Sequence, residues 1–249
     1  MLLARIALDD EAAQSRLLKA LPREERERIG LFHHAADRSR AIAAAILPRL
    51  VIYRLRGIPL AEVALPRTRA GKPWYPDDPG FHFNLSHSGE YVALAIGSHP
   101  VGVDCEQTRV NRDTDAIARR FFSAAEQQWL AGCHDSERAR RFFELWSRKE
   151  SLLKATGAGL SGSLASFDAR PGPRGDGSVA FRGGRWFIRS YATLECYSMA
   201  ICAGESDLPD HPHQIDARAG LLEAADTALG AFLSADCRDE HHTNQSGAA

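Results

Sequence analysis

The order of helix-forming and strand-forming segments most strongly limits the fold of this chain. Helix-forming segments between residues 10 and 57 precede three strand-forming runs between residues 81 and 106. The same order returns with helices over 113–156 and strands over 165–203. Runs of helices followed by runs of strands are typical of α+β proteins. The chain has 249 residues, which is enough for two domains of about 100 residues each.

A short internal similarity indicates that the two halves are duplicated. The segment YVALAIG at 91–97 resembles YSMAICAG at 197–204, and each follows long helices and a loop. We therefore expect two pseudo-duplicated α+β halves, an N-terminal half over 1–105 and a C-terminal half over 106–205. For residues 206–249 we expect a linker, a candidate helix over 215–236 and a disordered tail.

Composition excludes several classes of protein. Hydrophobic residues make up 44% of the chain, charged residues 25%, and the net charge is −1, so neither nucleic acid nor an anionic membrane would attract the whole molecule. No apolar run approaches the roughly 20 residues that span a bilayer. The five cysteines are scattered and form no CxxC pair. We therefore expect a cytoplasmic protein without a zinc or disulfide framework.

Two carboxylates end the apolar strand-forming run that closes the first half. Asp104 and Glu106 are two residues apart in VGVDCEQ, so on a strand they share one face while Val103 and Cys105 take the other. Carboxylates this close repel each other unless a proton or a cation lies between them. The pair therefore indicates either a magnesium site, because Mg²⁺ prefers oxygen ligands, or a solvent-facing strand end with salt bridges.

A helix-forming segment of the second half carries a third carboxylate. Trp146, Glu150 and Lys154 are spaced four residues apart in LWSRKESLLKATG, so they lie on one helix face. One interpretation is that Glu150 is a third ligand of the cation and Lys154 holds a phosphate beside it. The other is an ordinary Glu–Lys helix pair above an apolar stripe.

Two further segments carry groups that could bind phosphate. In NLSHSG, Ser86 and His87 offer a hydroxyl and an imidazole at the end of a strand, although adjacent side chains on a strand diverge. In RTRAGKP, Gly71 and Lys72 lie in a proline-containing loop that lacks the spacing of a Walker motif. Taken alone, the first segment is also compatible with an ordinary turn, and the second is more typical of a basic loop.

Taken together, these motifs resemble those of the 4′-phosphopantetheinyl transferases. The similarity covers roughly residues 20 to 205 and is greatest to the surfactin-synthetase-activating type, which has two halves in one chain. The motifs are GKP at 71–73, NLSHS at 84–88, VGVDCE at 101–106, RRFFSAAE at 119–126 and WSRKESLLK at 146–154.

The resemblance implies a reaction and a set of catalytic residues. Such an enzyme moves 4′-phosphopantetheine from coenzyme A to a serine hydroxyl of an apo acyl or peptidyl carrier protein and releases adenosine 3′,5′-bisphosphate. Asp104, Glu106 and Glu150 would bind Mg²⁺, and Asp104, Glu150 and Lys154 would be catalytic. Either Glu150 or a metal-bound water would accept the serine proton, and Glu126 is a weaker candidate.

The resemblance also implies where the substrates bind. The residues expected to contact coenzyme A are Arg40, Gly71, Lys72, Pro73, Ser86, His87 and Lys154. The two halves would be related by a pseudo-twofold axis, with the active site in the cleft between them, so that a monomer suffices. The carrier protein would contact residues near 107–135, where Arg109, Arg112, Arg119 and Arg120 suit an acidic partner.

Two other functions share parts of this pattern. A magnesium-dependent nucleotide phosphohydrolase would use the same carboxylates and basic loop, but it would cleave coenzyme A without a carrier protein. A non-catalytic module that binds coenzyme A or a carrier protein would not need all three acids.

Overall fold

The computed structural model describes residues 1–7, 11–108, 114–159, 164–192, 194–218 and 221. The described residues form two compact units. The larger contains Met1 and Leu65–Pro212, and the smaller contains Leu2–Ala64 and the described residues from His213 onward. None of the described helices is both long and apolar enough to cross a membrane.

Helices and strands occur in the predicted order, except that β8 was not predicted and no strand begins at residue 165. The helices are α1 Glu11–Lys19, α2 Arg23–Gly30, α3 Ala35–Arg56, α4 Thr114–Phe121, α5 Ala124–Ala131 and α6 Asp135–Thr156. The strands are β1 Leu2–Arg5, β2 His82–Ser88, β3 Tyr91–Gly97, β4 Val101–Gln107, β5 Asp176–Phe181, β6 Gly184–Tyr191, β7 Tyr197–Ala203 and β8 His213–Asp216. The α+β class is therefore confirmed.

The smaller unit combines three helices with a pair of strands. Helix α3 packs against α1 and α2, and its apolar residues, such as Ile42 and Ile46, are buried. Strand β1 pairs in parallel with β8, so that Leu2 lies opposite His213 and Arg5 opposite Asp216. The sequence predicted a linker over 206–214 and a helix over 215–236. Instead, residues His213–Asp216 form strand β8. Most of that predicted helix lies outside the described residues.

The larger unit contains a β-hairpin, a sheet and a long helix. Strands β2 and β3 pair antiparallel, with Ser86 opposite Ala93. Strands β4, β7, β6 and β5 form an antiparallel sheet in that order, with β4 at one edge. Helix α6 packs across β4 and β7. It ends at Gly157, whose φ of 67° is the left-handed conformation that glycine adopts at low cost.

The apolar face of α6 forms the core of the larger unit. Leu152 and Leu153 pack with Ile188, Ala200 and Cys202 from the sheet. Nearer its N-terminus the helix packs against α4 and α5 through a second cluster, composed of Ala118, Phe122, Leu130, Phe142, Phe143 and Leu145. Burial of this face orients the other side of α6, which carries Glu150 and Lys154 of the WSRKESLLK motif.

Two sequence predictions concern the limits of segments and halves. We expected the strands over 165–203 to begin with a strand over 165–169, and that expectation is wrong, because residues Leu164–Ser166 form a short 3-10 helix and the next strand begins at Asp176. The predicted division after residue 105 falls within the continuous strand β4, and the compact units divide the chain elsewhere. Compactness does not test duplication of the sequence, so the two halves over 1–105 and 106–205 stay a prediction.

Candidate active site

The two acids of β4 lie at the centre of the candidate site. Asp104 is 3% exposed, whereas Glu106, two residues further along, is half-buried. Cys105 faces the other way and is buried in the core, as the alternation of the strand predicts. Burial raises the pKa of the Cys105 thiol, and the negative charges of Asp104 and Glu106 raise it further.

Lys154 brings a positive charge from α6 to Asp104. Its Nζ atom donates hydrogen bonds to Asp104 Oδ1 at 2.7 Å, to Ser86 Oγ at 3.0 Å and to the Val103 carbonyl oxygen at 3.2 Å. An ammonium group has three N–H donors, so these protein acceptors occupy all of them. The helix and the strand are thereby joined at the site, although Lys154 and Asp104 are 50 residues apart in sequence.

The hydroxyl group of Ser86 is also fully used within the protein. It donates to Asp104 Oδ1 at 3.0 Å and accepts from Lys154 and from the Cys105 backbone N–H, the latter at 3.2 Å. A serine hydroxyl has one donor and two acceptor positions. Ser86 therefore orients the carboxylate of Asp104, and its predicted contact with coenzyme A stays a prediction.

Glu150 lies one helical turn before Lys154 and is electrostatically coupled to the acids of β4. Partial burial, more than any other cause, raises the pKa of Glu150 to about 7. The negative charges of Asp104 and Glu106 raise this pKa further, while the positive charge of Lys154 lowers it. Glu150 Oε1 and Asp104 Oδ2 are buried and have no hydrogen-bond partner among the described residues.

The carboxylates of Asp104 and Glu150 supply part of what a divalent cation needs. Two buried carboxylate oxygens without partners, in a cluster of like charges, are the groups that a cation would stabilise. No group of three or more His, Cys, Asp or Glu side chains within the described ranges is placed to hold a metal ion. Mg²⁺ commonly takes one or two protein carboxylates and completes its shell with substrate phosphates and water. The predicted role of Asp104 and Glu150 as its ligands stays a prediction. The participation of Glu106 stays a prediction.

A loop places a second lysine at the C-terminal end of α6. Lys72 Nζ donates to the carbonyl oxygen of Lys154 at 3.0 Å, one of the carbonyls that a helix leaves unpaired in its last turn. Gly71 permits the tight loop with a φ of 82°, and Pro73 forms a bridge with Arg67. Desolvation lowers the pKa of Lys72, and the charge of Lys154 lowers it further.

Comparison with known proteins identifies the family. The model of the 4′-phosphopantetheinyl transferase superfamily matches residues 100–202, and that of the 4′-phosphopantetheinyl transferase N-terminal region matches residues 10–99. A 4′-phosphopantetheinyl transferase of Bacillus subtilis is 36% identical over 199 residues, which cover 79% of this chain and 88% of the relative. One of Bacillus pumilus is 33% identical over 209 residues, covering 82% and 89%.

The chain belongs to the 4′-phosphopantetheinyl transferase superfamily. The family predicted from the five motifs is thereby confirmed, and so is the prediction of an enzyme of this class. In the transferase, the motifs VGVDCE and WSRKESLLK meet through the contact between Asp104 and Lys154. Residues from both predicted halves thus come together within the larger unit.

Two residues predicted to bind coenzyme A lie away from this cluster or in the other unit. His87 is exposed, whereas its neighbour Ser86 is buried, which confirms that the two side chains diverge along β2. Arg40 belongs to the smaller unit, where its guanidinium lies 2.6 Å from Asp37 Oδ1. The predicted roles of both residues in the transferase stay predictions.

A buried ion pair, which the sequence analysis did not predict, stabilises the part of α6 that carries the site. Lys149 and Glu126 are both fully buried, and Lys149 Nζ lies 2.8 Å from Glu126 Oε2. Lys149 also donates to the carbonyl oxygens of Leu164 and Phe167 at 2.6 and 2.9 Å. Because Lys149 directly precedes Glu150, this anchor fixes the part of α6 that carries the site residues.

Glu126 is a structural residue of the transferase. It caps helix α5 by accepting from the Ser123 backbone N–H at 2.7 Å, and its other oxygen accepts from the Ala169 N–H at 2.8 Å. Both carboxylate oxygens are therefore occupied by protein donors. The capping-box pattern S-x-x-E at 123–126 is the sequence signal that could have indicated this role.

Proposed function

We propose that the protein transfers 4′-phosphopantetheine from coenzyme A to a serine hydroxyl of an apo acyl or peptidyl carrier protein, in a magnesium-dependent reaction. The observation that carries this proposal is the pair of buried, unpartnered oxygens, Asp104 Oδ2 and Glu150 Oε1, beside the ammonium of Lys154. Acids poised for a cation next to a lysine suit a substrate that carries a pyrophosphate.

The reaction needs a proton acceptor and a way to stabilise the leaving group. The serine oxygen of the carrier attacks the phosphorus that bears the pantetheine arm. The bond from that phosphorus to the bridging oxygen breaks, and adenosine 3′,5′-bisphosphate leaves with the bond electrons. The serine proton must pass to a base, either Glu150 or a metal-bound water.

Asp104 and Glu150 would hold the cation, with Glu106 as the proposed third ligand. When bound, Mg²⁺ neutralises negative charge that develops on the pyrophosphate oxygens during transfer. The chain contributes by fixing the acids before substrate arrives. Ser86 donates to Asp104 Oδ1, and that bond leaves Oδ2 available.

Two lysines would orient the phosphates of coenzyme A. Lys154 can exchange its bond to Asp104 for a phosphate oxygen once the carboxylate binds a cation, because both acceptors are anionic. Lys72, on a loop that contacts the last turn of the same helix, adds a second positive charge. We further propose that Gly71, Pro73, Ser86, His87 and Arg40 contribute to the coenzyme A site.

The partner is a carrier protein with an accessible serine, and the surface near residues 107–135 is the proposed contact. Within the described part of that surface, Arg119 and Arg120 on α4 are exposed and suit an acidic partner. Arg109 and Arg112 lie outside the described residues. Because one chain carries both halves, we propose a monomer. The cysteines described as free fit a reducing cytoplasm.

Intact-mass spectrometry of an apo carrier protein tests the transferase against its alternatives. The carrier is incubated with the protein, coenzyme A and Mg²⁺, and nucleotide products are separated in the same reaction. We expect a carrier heavier by one phosphopantetheine and one equivalent of adenosine 3′,5′-bisphosphate. A carrier whose acceptor serine is replaced by alanine is the control. Cleavage of coenzyme A with that control would indicate the phosphohydrolase, and no change in either substrate would indicate a binding module.

A further inference from the structure

Strand β4 lies at the edge of its sheet, so half of its backbone N–H groups have no strand to pair with there. Its partner β7 lies on one side only. On an edge strand, alternate residues direct their N–H groups away from the partner, and these groups need other acceptors when they are buried. Val103 and Cys105 are buried, so the requirement applies to them directly.

Three side chains of β2 accept these N–H groups. The Val103 N–H donates to Asn84 Oδ1 at 2.8 Å, and the Gln107 N–H donates to Ser88 Oγ at 3.0 Å. Between them, the Cys105 N–H donates to Ser86 Oγ at 3.2 Å. Each bond joins residues 19 positions apart. We call Asn84, Ser86 and Ser88 the side-chain ladder.

The side-chain ladder also reaches the acids of the candidate site. Ser86 donates to Asp104 at 3.0 Å, and Ser88 lies 3.5 Å from Glu106 Oε2. The backbone of Val103 is held on both sides of the residue, by Asn84 at its N–H and by Lys154 at its carbonyl oxygen. A shift of β4 by one residue would break every bond of the ladder and turn both acids to the opposite face.

The turn that follows β2 is fixed as well. The Tyr197 hydroxyl accepts a hydrogen bond from the Glu90 N–H at 3.3 Å. A Cβ atom on Gly89 would lie 2.0 Å from that hydroxyl oxygen, so a larger residue would displace Tyr197. Since Tyr197 belongs to β7, the partner of β4, the end of β2 is tied to the same sheet that its side chains extend.

We propose that Asn84 and Ser88 are positioning residues: their side chains replace a neighbouring strand and fix Asp104 and Glu106 in the register that binds the catalytic cation. The inference rests on the proposed function, because it concerns the geometry of the acids that would hold Mg²⁺. Removal of groups that orient metal ligands typically weakens metal binding about 10- to 100-fold.

Mn²⁺ binding measures this role without turnover. Mn²⁺ replaces Mg²⁺, and electron paramagnetic resonance counts the free ion in the presence of coenzyme A without a carrier protein. The variants are Asn84→Ala, Ser88→Ala and Ser88→Thr, of which the last keeps the hydroxyl oxygen. Ser178→Ala is the matched control, because Ser178 is exposed on β5 at the far edge of the same sheet. Asp104→Ala defines the loss of the site itself, and thermal unfolding is recorded for every variant.

We expect Asn84→Ala and Ser88→Ala to weaken Mn²⁺ binding about tenfold or more. Ser88→Thr should restore most of the affinity, and Ser178→Ala should bind as the wild type does. If Ser88→Ala and Asn84→Ala bind Mn²⁺ like the wild type while Asp104→Ala does not, the positioning role is wrong and the metal site stands. If Asn84→Ala fails to fold, the comparison of Ser88→Ala with Ser88→Thr decides alone, since Ser88 is only half-buried. If Asp104→Ala also binds like the wild type, both the proposed metal site and the positioning role are wrong.

Discussion

A Cβ atom placed on Gly102 would lie 2.0 Å from the carbonyl oxygen of Ser151. Gly102 is on β4, two residues before Asp104, and Ser151 directly follows Glu150 on α6. The absence of a side chain at Gly102 therefore allows the helix to lie directly on the strand. This close packing brings Lys154 within hydrogen-bonding distance of Asp104. It also places Glu150 near the charges of Asp104, Glu106 and Lys154.

Gly102→Ala should separate α6 from β4. The added methyl group meets backbone atoms of Ser151 and Ala155, which cannot move aside as a flexible side chain can. We expect a loss of unfolding free energy of about 1–3 kcal/mol. The rate of carrier modification should fall as well, because the site residues of α6 and β4 move apart. Urea unfolding and intact-mass assays measure the two effects. Gly204→Ala is the control, because no atom of the described residues lies within 4 Å of the position that its methyl group would take. Equal stability of the two variants would contradict the close packing.

Glu150→Gln should stabilise the fold at high pH while it abolishes activity. The pKa of Glu150 is raised from 4.5 to about 7, so the folded protein holds this proton more tightly than the unfolded chain. Ionisation therefore costs stability as the pH rises from about 4.5 to 7, and the cost is complete above that range. The amide removes it, with a gain of at most about 3 kcal/mol before solvent screening.

Urea unfolding at pH 8.5 and at pH 5 tests this difference. The gain from Glu150→Gln should be larger at pH 8.5. Glu137→Gln, on an exposed part of the same helix, should change stability by less than about 0.5 kcal/mol at both values. A Glu150→Gln variant that is less stable than the wild type at pH 8.5 would show that its carboxylate is not under electrostatic strain.

Lys149→Met should destabilise the protein strongly, because it leaves Glu126 buried without a cation. The substitution also removes the donor to the Leu164 and Phe167 carbonyls. Breaking a buried ion pair by removing one partner typically costs about 3–5 kcal/mol. In the double variant Glu126→Gln/Lys149→Met no charge is left unpaired, so part of the loss should return. Unfolding free energies at pH 7 are compared for the wild type, Lys149→Met and the double variant. A double variant no more stable than Lys149→Met would contradict the pairing.

The sequence predicted the parts of the site that depend on local periodicity. The i, i+4 spacing of Glu150 and Lys154 on α6 and the alternation of Asp104, Cys105 and Glu106 on β4 both agree with the structure. These patterns need only the repeat of a helix or a strand. The sequence analysis placed Glu150 at the cation of the β4 acids and Lys154 at a phosphate. It did not predict the bond between Lys154 and Asp104, since spacing alone does not relate residues 50 positions apart.

Contacts between distant segments could not be predicted in the same way. Lys72 bonds to a helix end 82 residues away, and β8 forms a strand only with β1 as its partner. Lys149 and Glu150 are adjacent and both charged, yet one is fully buried in an ion pair and the other belongs to the site. The alternating polar residues Asn84, Ser86 and Ser88 were a visible signal, but their acceptor role depends on the position of the β4 edge.

The magnesium dependence of carrier modification in the wild type and in Asp104→Ala tests whether the carboxylates of β4 and α6 hold a catalytic cation. Intact-mass spectrometry follows formation of the holo carrier protein from coenzyme A over a range of Mg²⁺ concentrations, with a chelator as the metal-free reference. We expect the wild type to require Mg²⁺ and Asp104→Ala to be slower by about 100-fold or more, although it stays folded. Modification that persists at the wild-type rate in Asp104→Ala, or in the chelator, would contradict a cation held by the carboxylates of β4 and α6.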